Sequence, residues 1–418
     1  MRPSADYGTG AVRRGILRQG HRRARLLPEP AESTLRSVGM KFGIFYEHSV
    51  AKPWSRQSEL RAYEQALEQI ELADELGFDQ VWEVEHHFLE EYSHSSAPEV
   101  FLAAAAARTK RIRIGQGIAV CLPPMNHPAR IAERAAALDL ISGGRLEFGT
   151  GRSATWTEVG AFGIDPDSTK EMWDEVIRAI PKMWTEEEFE WHGKYFSMPP
   201  RNVLPKPIQE PHPPMWVAVS SPETAVQAAE RGIGMLGVTL GTPADYKRLV
   251  ADYRRIIRHC DPVGKFVNNQ VNAASWLYCG EDPYEAKAVG GAAAFQFFQS
   301  AAHLLGLGGI YPSHAYTAQA NATALLSQAE IFSLREGFPV GSPEEIIENL
   351  RYWEEVGVER VVMLINYDQA IPQKKVLASL ERFAKYVMPE FTDEKAAQRR
   401  EKARTSGDRG PEAPPMAT

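Results

Sequence analysis

Three clusters of side chains in this chain carry chemistry. The first is Glu85-His86-His87, a carboxylate and two imidazoles directly after the apolar run "FDQVWEV". An imidazole near its neutral pKa can give a proton and take it back, although a capped loop or a structural hydrogen bond uses the same residues. A carboxylate beside it, here Glu85, can fix its tautomer or ring orientation. The same residue types ligate metals, but side chains alternate along a strand, so adjacent histidines do not both turn inward, and HExxH is absent. The second cluster is the helix opening Ser220-Ser221-Pro222-Glu223-Thr224. A serine cap, a proline in the first turn, free backbone N–H groups and hydroxyls make an anion cradle, although plain capping uses the same residues. The third is Arg152 in "FGTGRS", whose guanidinium can share that anion. The loop "CLPPMNHP" adds Asn126 and His127.

The elements that must carry these groups follow one rhythm. Between Met40 and Phe391, short apolar runs such as "KFGIFY", "FDQVWEV", "IRIGQGIAV", "RLEFGTG", "MWVAVS" and "VERVVMLIN" alternate with amphipathic stretches. "IGMLGV" and "VNAASWLYC" are candidates for the sixth and seventh strands. About eight βα repeats, with no GxGxxG after the first strand, predict an α/β fold, a (β/α)8 TIM barrel; a doubly wound sheet is the alternative. A barrel puts its active site at the C-terminal strand ends. The Glu85–His87, Asn126–His127, Arg152 and Ser220–Thr224 segments all fall there. Two departures are expected. "FEWHGKYFSM" reads as an inserted hairpin near 188–198, and residues 287–335 as a lid-like segment helping to close an apolar pocket.

Composition narrows the class. The chain has 418 residues, 44% hydrophobic and 24% charged, as in ordinary globular proteins. Residues 1–39 hold eight arginines against three carboxylates, a surplus of +5 that leaves −12 on the rest of a chain whose net charge is −7. The acidic body does not suit nucleic-acid binding. The basic head is expected to be a disordered extension, or residues upstream of a domain opening at Met40. The polar segment 392–418 is expected to fray. Three cysteines without CxxC favour no disulfide framework and a reducing cytoplasm, and no apolar run approaches the length of a membrane span.

Taken together, "MKFGIFYE", "GFDQVWEVEHHF", "NHPARIAERAAALDLISGGRLEFGTGR", "AAERG" and "VGSPEEIIENLRYWEEVGVERVVML" resemble the bacterial luciferase-like, flavin-dependent monooxygenases. The resemblance runs from about Met40 to Pro389. It implies a barrel that takes reduced FMN from a separate NAD(P)H-dependent flavin reductase and forms a flavin C4a-hydroperoxide with O2, which oxygenates a small organic substrate. By the same resemblance, Arg152, Ser220, Ser221 and Thr224 hold the flavin phosphate, His86 is the acid/base and His87 its structural neighbour. Val84 would line the isoalloxazine beside Glu85. Gly117–Ile118 matches a strand-three bulge, with a non-prolyl cis peptide in some members, that supports the ring. Family habit suggests a homodimer.

The departures from the family pattern restrict the activity. Light-emitting members carry a cysteine where this chain has Gly151, and a glutamate where it has Ser220. The region 287–335 is unlike their charged mobile loop. A hydroxylation or Baeyer–Villiger oxygenation of an apolar substrate fits better than light emission. The alternatives are an F420-dependent oxidoreductase on the same barrel and a non-catalytic flavin-binding subunit.

Overall fold

The computed structural model describes residues 39–90, 92–153, 155–237, 243–307 and 338–405. Eight parallel strands close a barrel: β1 (Lys41–Tyr46), β2 (Gln80–Glu83), β3 (Arg113–Val120), β4 (Leu146–Gly151), β7 (Met215–Val219), β8 (Gly234–Gly237), β9 (Val271–Trp276) and β12 (Arg360–Leu364). Neighbours follow chain order around the ring, with β12 closing on β1. β4 pairs β7 because β5 (Phe189–His192) and β6 (Ser197–Arg201) form the expected hairpin outside the barrel. β10 (Tyr278–Cys279) and β11 (Val340–Gly341) form a small parallel pair of their own. The strands are largely buried on both faces because helices cover one side and the packed interior the other, although β2, β3, β4 and β9 bury polar residues such as Glu83, Gln116, Glu147 and Asn272.

Helices α1 (Ser58–Leu76), α2 (Pro98–Arg108) and α3 (Pro128–Ser142) follow the first three strands. Glycines end α1 and α3 in left-handed turns, Gly77 at φ 89° and Gly143 at φ 65°. Beyond β4 lie a short helix α4 (Trp156–Ala161), which the sequence pattern does not announce, and α5 (Thr169–Thr185). α6 (Pro222–Glu230) and α7 (Pro243–Ile256) flank β8.

Part of the lid expectation needs correcting. Residues 287–307 belong to helix α8 (Pro283–Leu307), which buries Ala293, Ala294, Phe297 and Phe298 in the main core. Its alanine-rich face suits close helix packing, whereas loop backbone would leave buried polar groups unpaired. The rest of that segment, 308–335, lies outside the described residues, as do 1–38 of the arginine-rich head. The stretch expected to fray after Thr392 is helical over Asp393–Thr405. Ala396 is buried there and Arg399 makes a forked pair with Glu354, at 2.8 Å from both carboxylate oxygens. Residues 406–418 lie outside the described residues.

One end of the barrel is strained. Six non-glycine residues have positive φ among the described residues: His48, Phe88, Glu90, Ser153, Asp368 and Gln369. All six follow the C-terminal ends of β1, β2, β4 or β12. Such conformations cost roughly 1–3 kcal/mol each and persist where the surroundings over-determine them, commonly at functional sites.

Candidate active site

β2 stops at Glu83, so Glu85, His86 and His87 lie in the loop beyond it and strand alternation does not govern them. His86 sits between two carboxylates. Its Nδ1 is 3.0 Å from Glu158 Oε1, and its Nε2 is 3.7 Å from Glu47 Oε2. Glu158 comes from α4 and Glu47 follows β1. Tyr92 packs edge-on against the His86 ring at 5.7 Å and donates its hydroxyl to Glu47 at 3.4 Å. Burial works against charge on His86, yet Glu158, Glu47 and Glu85 outweigh it and raise the imidazole to about 9. Burial pushes the Glu47 carboxyl up to about 7, against the pull of His86 and the Tyr92 bond. Burial also acts to raise Glu158, but His86 and the hydroxyls of Ser153 and Thr155 win and hold it below the ordinary range. The arrangement favours an imidazolium–carboxylate pair, with a carboxyl raised toward neutrality on its far side.

Glu85 does not take the role expected of it toward His86. Its carboxylate accepts from Val120 N at 2.7 Å and Asn126 Nδ2 at 2.9 Å, and stands 3.3 Å from His87 Nε2. It braces the β3 loop instead. Arg134 fixes Asn126 in turn, donating to its Oδ1 at 2.7 Å. His127 turns away from this group and caps α3, accepting from Ala129 N at 3.2 Å. The His87 ring lies edge-on to Phe162 at 5.3 Å, beside the apolar patch of Val120, Leu122, Val159 and Ile164 on which Ile118 and Met125 pack.

The expected bulge is present. The register of β3 on β4 shifts between Gln116 and Ala119, at Gly117–Ile118, while the cis peptides among the described residues are three X-Pro bonds. Only glycine fits at 117: a Cβ there would stand 2.7 Å from the Glu83 carbonyl oxygen. The bulge leaves Ile118 half-exposed beside Gly151, and Val84, also half-exposed, extends from the end of β2.

The residues expected to form an anion cradle lie at neighbouring strand ends. Arg152 leaves β4, and Ser220-Ser221 leave the adjacent β7. Ser221 caps α6, its Oγ accepting from Thr224 N at 3.3 Å and meeting Thr224 Oγ1 at 3.0 Å; Ser220 is exposed. Arg152 Nη1 donates to Thr169 Oγ1 at 3.3 Å, and the next residue, Lys170, pairs with Glu223 of the α6 first turn at 2.8 Å. The start of α5 thus ties the arginine to the capped turn. A guanidinium, two hydroxyls and a helix N-terminus suit a phosphate, so the residues present fit a flavin mononucleotide. Arg152 also continues directly into Ser153, whose hydroxyl donates to Glu158 at 2.7 Å, so the Arg152 loop and the histidine loop share one carboxylate.

Glu158 and Glu47 are the members of this site that sequence reasoning missed. Neither has a spacing signal: Glu158 lies in a six-residue helix, and Glu47 is one acid after a strand.

Comparison with known proteins agrees with this architecture. Residues 40–360 match the family described as luciferase-like monooxygenase. The oxygenase component of the flavin-dependent trigonelline monooxygenase of Acinetobacter baylyi is 26% identical over 86% of this chain and 98% of its own. The monooxygenase RslO1 of Streptomyces bottropensis superposes with a TM-score of 0.70 at 30% identity, covering 84% of this chain and all of that one. The oxygenating constituent of 3,6-diketocamphane monooxygenase of Pseudomonas putida, a type II Baeyer–Villiger enzyme solved with FMN, shares the fold at a TM-score of 0.67 and 21% identity, covering 85% and 99%. F420-dependent enzymes share the fold as well. The chain therefore belongs to the luciferase-like monooxygenase family of flavin-dependent oxidoreductases.

Proposed function

We propose that this chain is the oxygenase of a two-component system, taking reduced FMN from a separate NAD(P)H-dependent reductase and using O2 to oxygenate a small apolar molecule. The observation that carries this reading is that Arg152, the capped Ser221–Thr224 turn and the His86–Glu158 pair all lie at the C-terminal strand ends, with Ser153 linking the Arg152 loop to Glu158. The name of the A. baylyi relative, an oxygenase component, supports a separate reductase. Arg152, the Ser221 and Thr224 hydroxyls and the α6 N-terminus would bind the phosphate; Val84 and the Gly117–Ile118 bulge would bear the ring. When bound, reduced FMN supplies two electrons, one atom of O2 enters the substrate and the other leaves as water.

The protein's own work is positioning, exclusion of water and one proton. His86, charged at neutral pH, donates from Nε2 to the departing oxygen, and Glu47, facing that nitrogen, returns a proton to it. Ile118 and Phe162, half-buried on an apolar core cluster, would keep water from the reacting oxygen and favour an apolar substrate. With Gly151 at the end of β4, oxygenation without light emission is the expected outcome. The test supplies FMN, a flavin reductase and NADH and follows O2 uptake across a panel of ketones, aldehydes and terpenes. Substrate-dependent uptake, lost in His86→Ala, is expected. Tight binding of F420 with weak binding of FMN would replace this reading with F420-dependent hydride transfer, and unchanged turnover in His86→Ala would remove the histidine from the chemistry.

A further inference from the structure

The Glu158 carboxylate is fully buried and saturated with donors. Oε1 accepts from His86 Nδ1 at 3.0 Å and His87 N at 3.1 Å. Oε2 accepts from Ser153 Oγ at 2.7 Å and Thr155 Oγ1 at 2.8 Å. These four donors come from two loops, those after β2 and β4. The β4 loop reaches Glu158 through Ser153, held at φ 61°, a conformation that needs outside support in a non-glycine residue. A buried carboxylate without such partners would be far too costly to keep ionised. With them it becomes a fixed negative charge against one particular nitrogen.

We propose that Glu158 is the positioning residue of the site: it fixes the His86 ring with Nδ1 protonated and turned inward, so that Nε2 is the atom presented to the reaction, and it fastens the His86 loop to the Arg152 loop. This rests on the flavin reading only for what the two loops bind. The charged and titratable groups around His86 are Glu158 from α4, Glu47 after β1, and Glu85 and Tyr92 from its own loop. Of these, Glu158 alone makes a direct hydrogen bond to the ring, since Glu47 is 3.7 Å away and Glu85 faces His87. No covalent step is involved. A proton on Nδ1 is retained throughout, and exchange occurs at Nε2.

The test reads the ring directly, with no flavin present. Imidazole resonances of His86 are assigned by comparison with His86→Ala and followed against pH in the full chain, in Glu158→Gln and in Glu158→Asp. In the native chain the expected midpoint of His86 is well above the ordinary 6.5, at about 9. Glu158→Gln keeps the shape and removes the charge, so the midpoint falls by about one to three pH units. Glu158→Asp keeps the charge and retains most of the elevation. The pH profile of kcat moves with the midpoint in each variant, a change that mere loss of packing would not produce. An ordinary midpoint in the native chain overturns the proposal even if Glu158→Gln does not fold. So does an unchanged midpoint in Glu158→Gln with a fallen one in Glu47→Gln. Failure of FMN to bind would sink the flavin reading while leaving these titrations intact.

Discussion

Replacing Arg152 by alanine separates the two ends of the proposed cofactor. In the structure its Nη1 donates to the neutral hydroxyl of Thr169 at 3.3 Å, a weaker partner than a phosphate oxygen would be. A charge-assisted hydrogen bond contributes about 1.5–3 kcal/mol. Losing it should weaken FMN binding about ten- to 150-fold. Riboflavin, which has the ring and lacks the phosphate, should bind native and Arg152→Ala chains alike. Quenching of flavin fluorescence measures both affinities. Arg152→Lys should fall between, because an ammonium keeps the charge and loses the fork. If Arg152→Ala weakens FMN and riboflavin equally, the arginine supports the ring or the fold and the cradle argument fails.

Two further perturbations follow from geometry elsewhere in the barrel. His48 is stacked on Tyr63 at 4.2 Å, and burial, then the nearby His94, lowers its pKa from the ordinary 6.5 to about 3. A depressed folded pKa contributes stability that is present above pH 6.5 and lost as pH falls toward 3. His48→Asn, which tolerates the φ of 49°, should therefore show a shallower fall in Tm between pH 7 and 4 than the native chain; parallel curves would mean that His48 is not buried neutral. Gly117→Val places side-chain atoms against the Glu83 carbonyl and Val84 N, at 2.7 and 3.2 Å from the new Cβ. Overpacking of this kind costs about 1–3 kcal/mol, so the urea midpoint should drop with the m-value unchanged, and an unaltered midpoint would contradict the bulge geometry.

Much of the barrel was legible because parallel strands buried on both faces are continuous apolar runs, and each glycine or proline boundary marks a helix end. Helix α7 was passed over because its apolar positions, such as Leu249, Val250 and Tyr253, are diluted by arginine and aspartate. The polar segment after Thr392 looked unable to fold alone. Its helix is held by tertiary partners, Glu354 and Phe391, that a local reading does not see. The site was legible in part for the same reason. Ser221 capping is a local signal and the Gly117–Ile118 bulge is implied by the family resemblance, and both stand in the structure. The partner of His86 was assigned to Glu85 because it is adjacent in sequence, whereas a side chain 72 residues away occupies that position. Short helices that exist to deliver one side chain leave little periodic trace, so Glu158 could be found only by folding the chain.

The most direct measurement is a crystal structure of the full chain soaked with FMN. The account predicts the phosphate within hydrogen-bond distance of Arg152 and Thr224, and the isoalloxazine beside Val84 and the Gly117–Ile118 bulge, with His86 Nε2 facing the ring. A phosphate bound at another rim of the barrel, or a ring from which His86 is turned away, would contradict it.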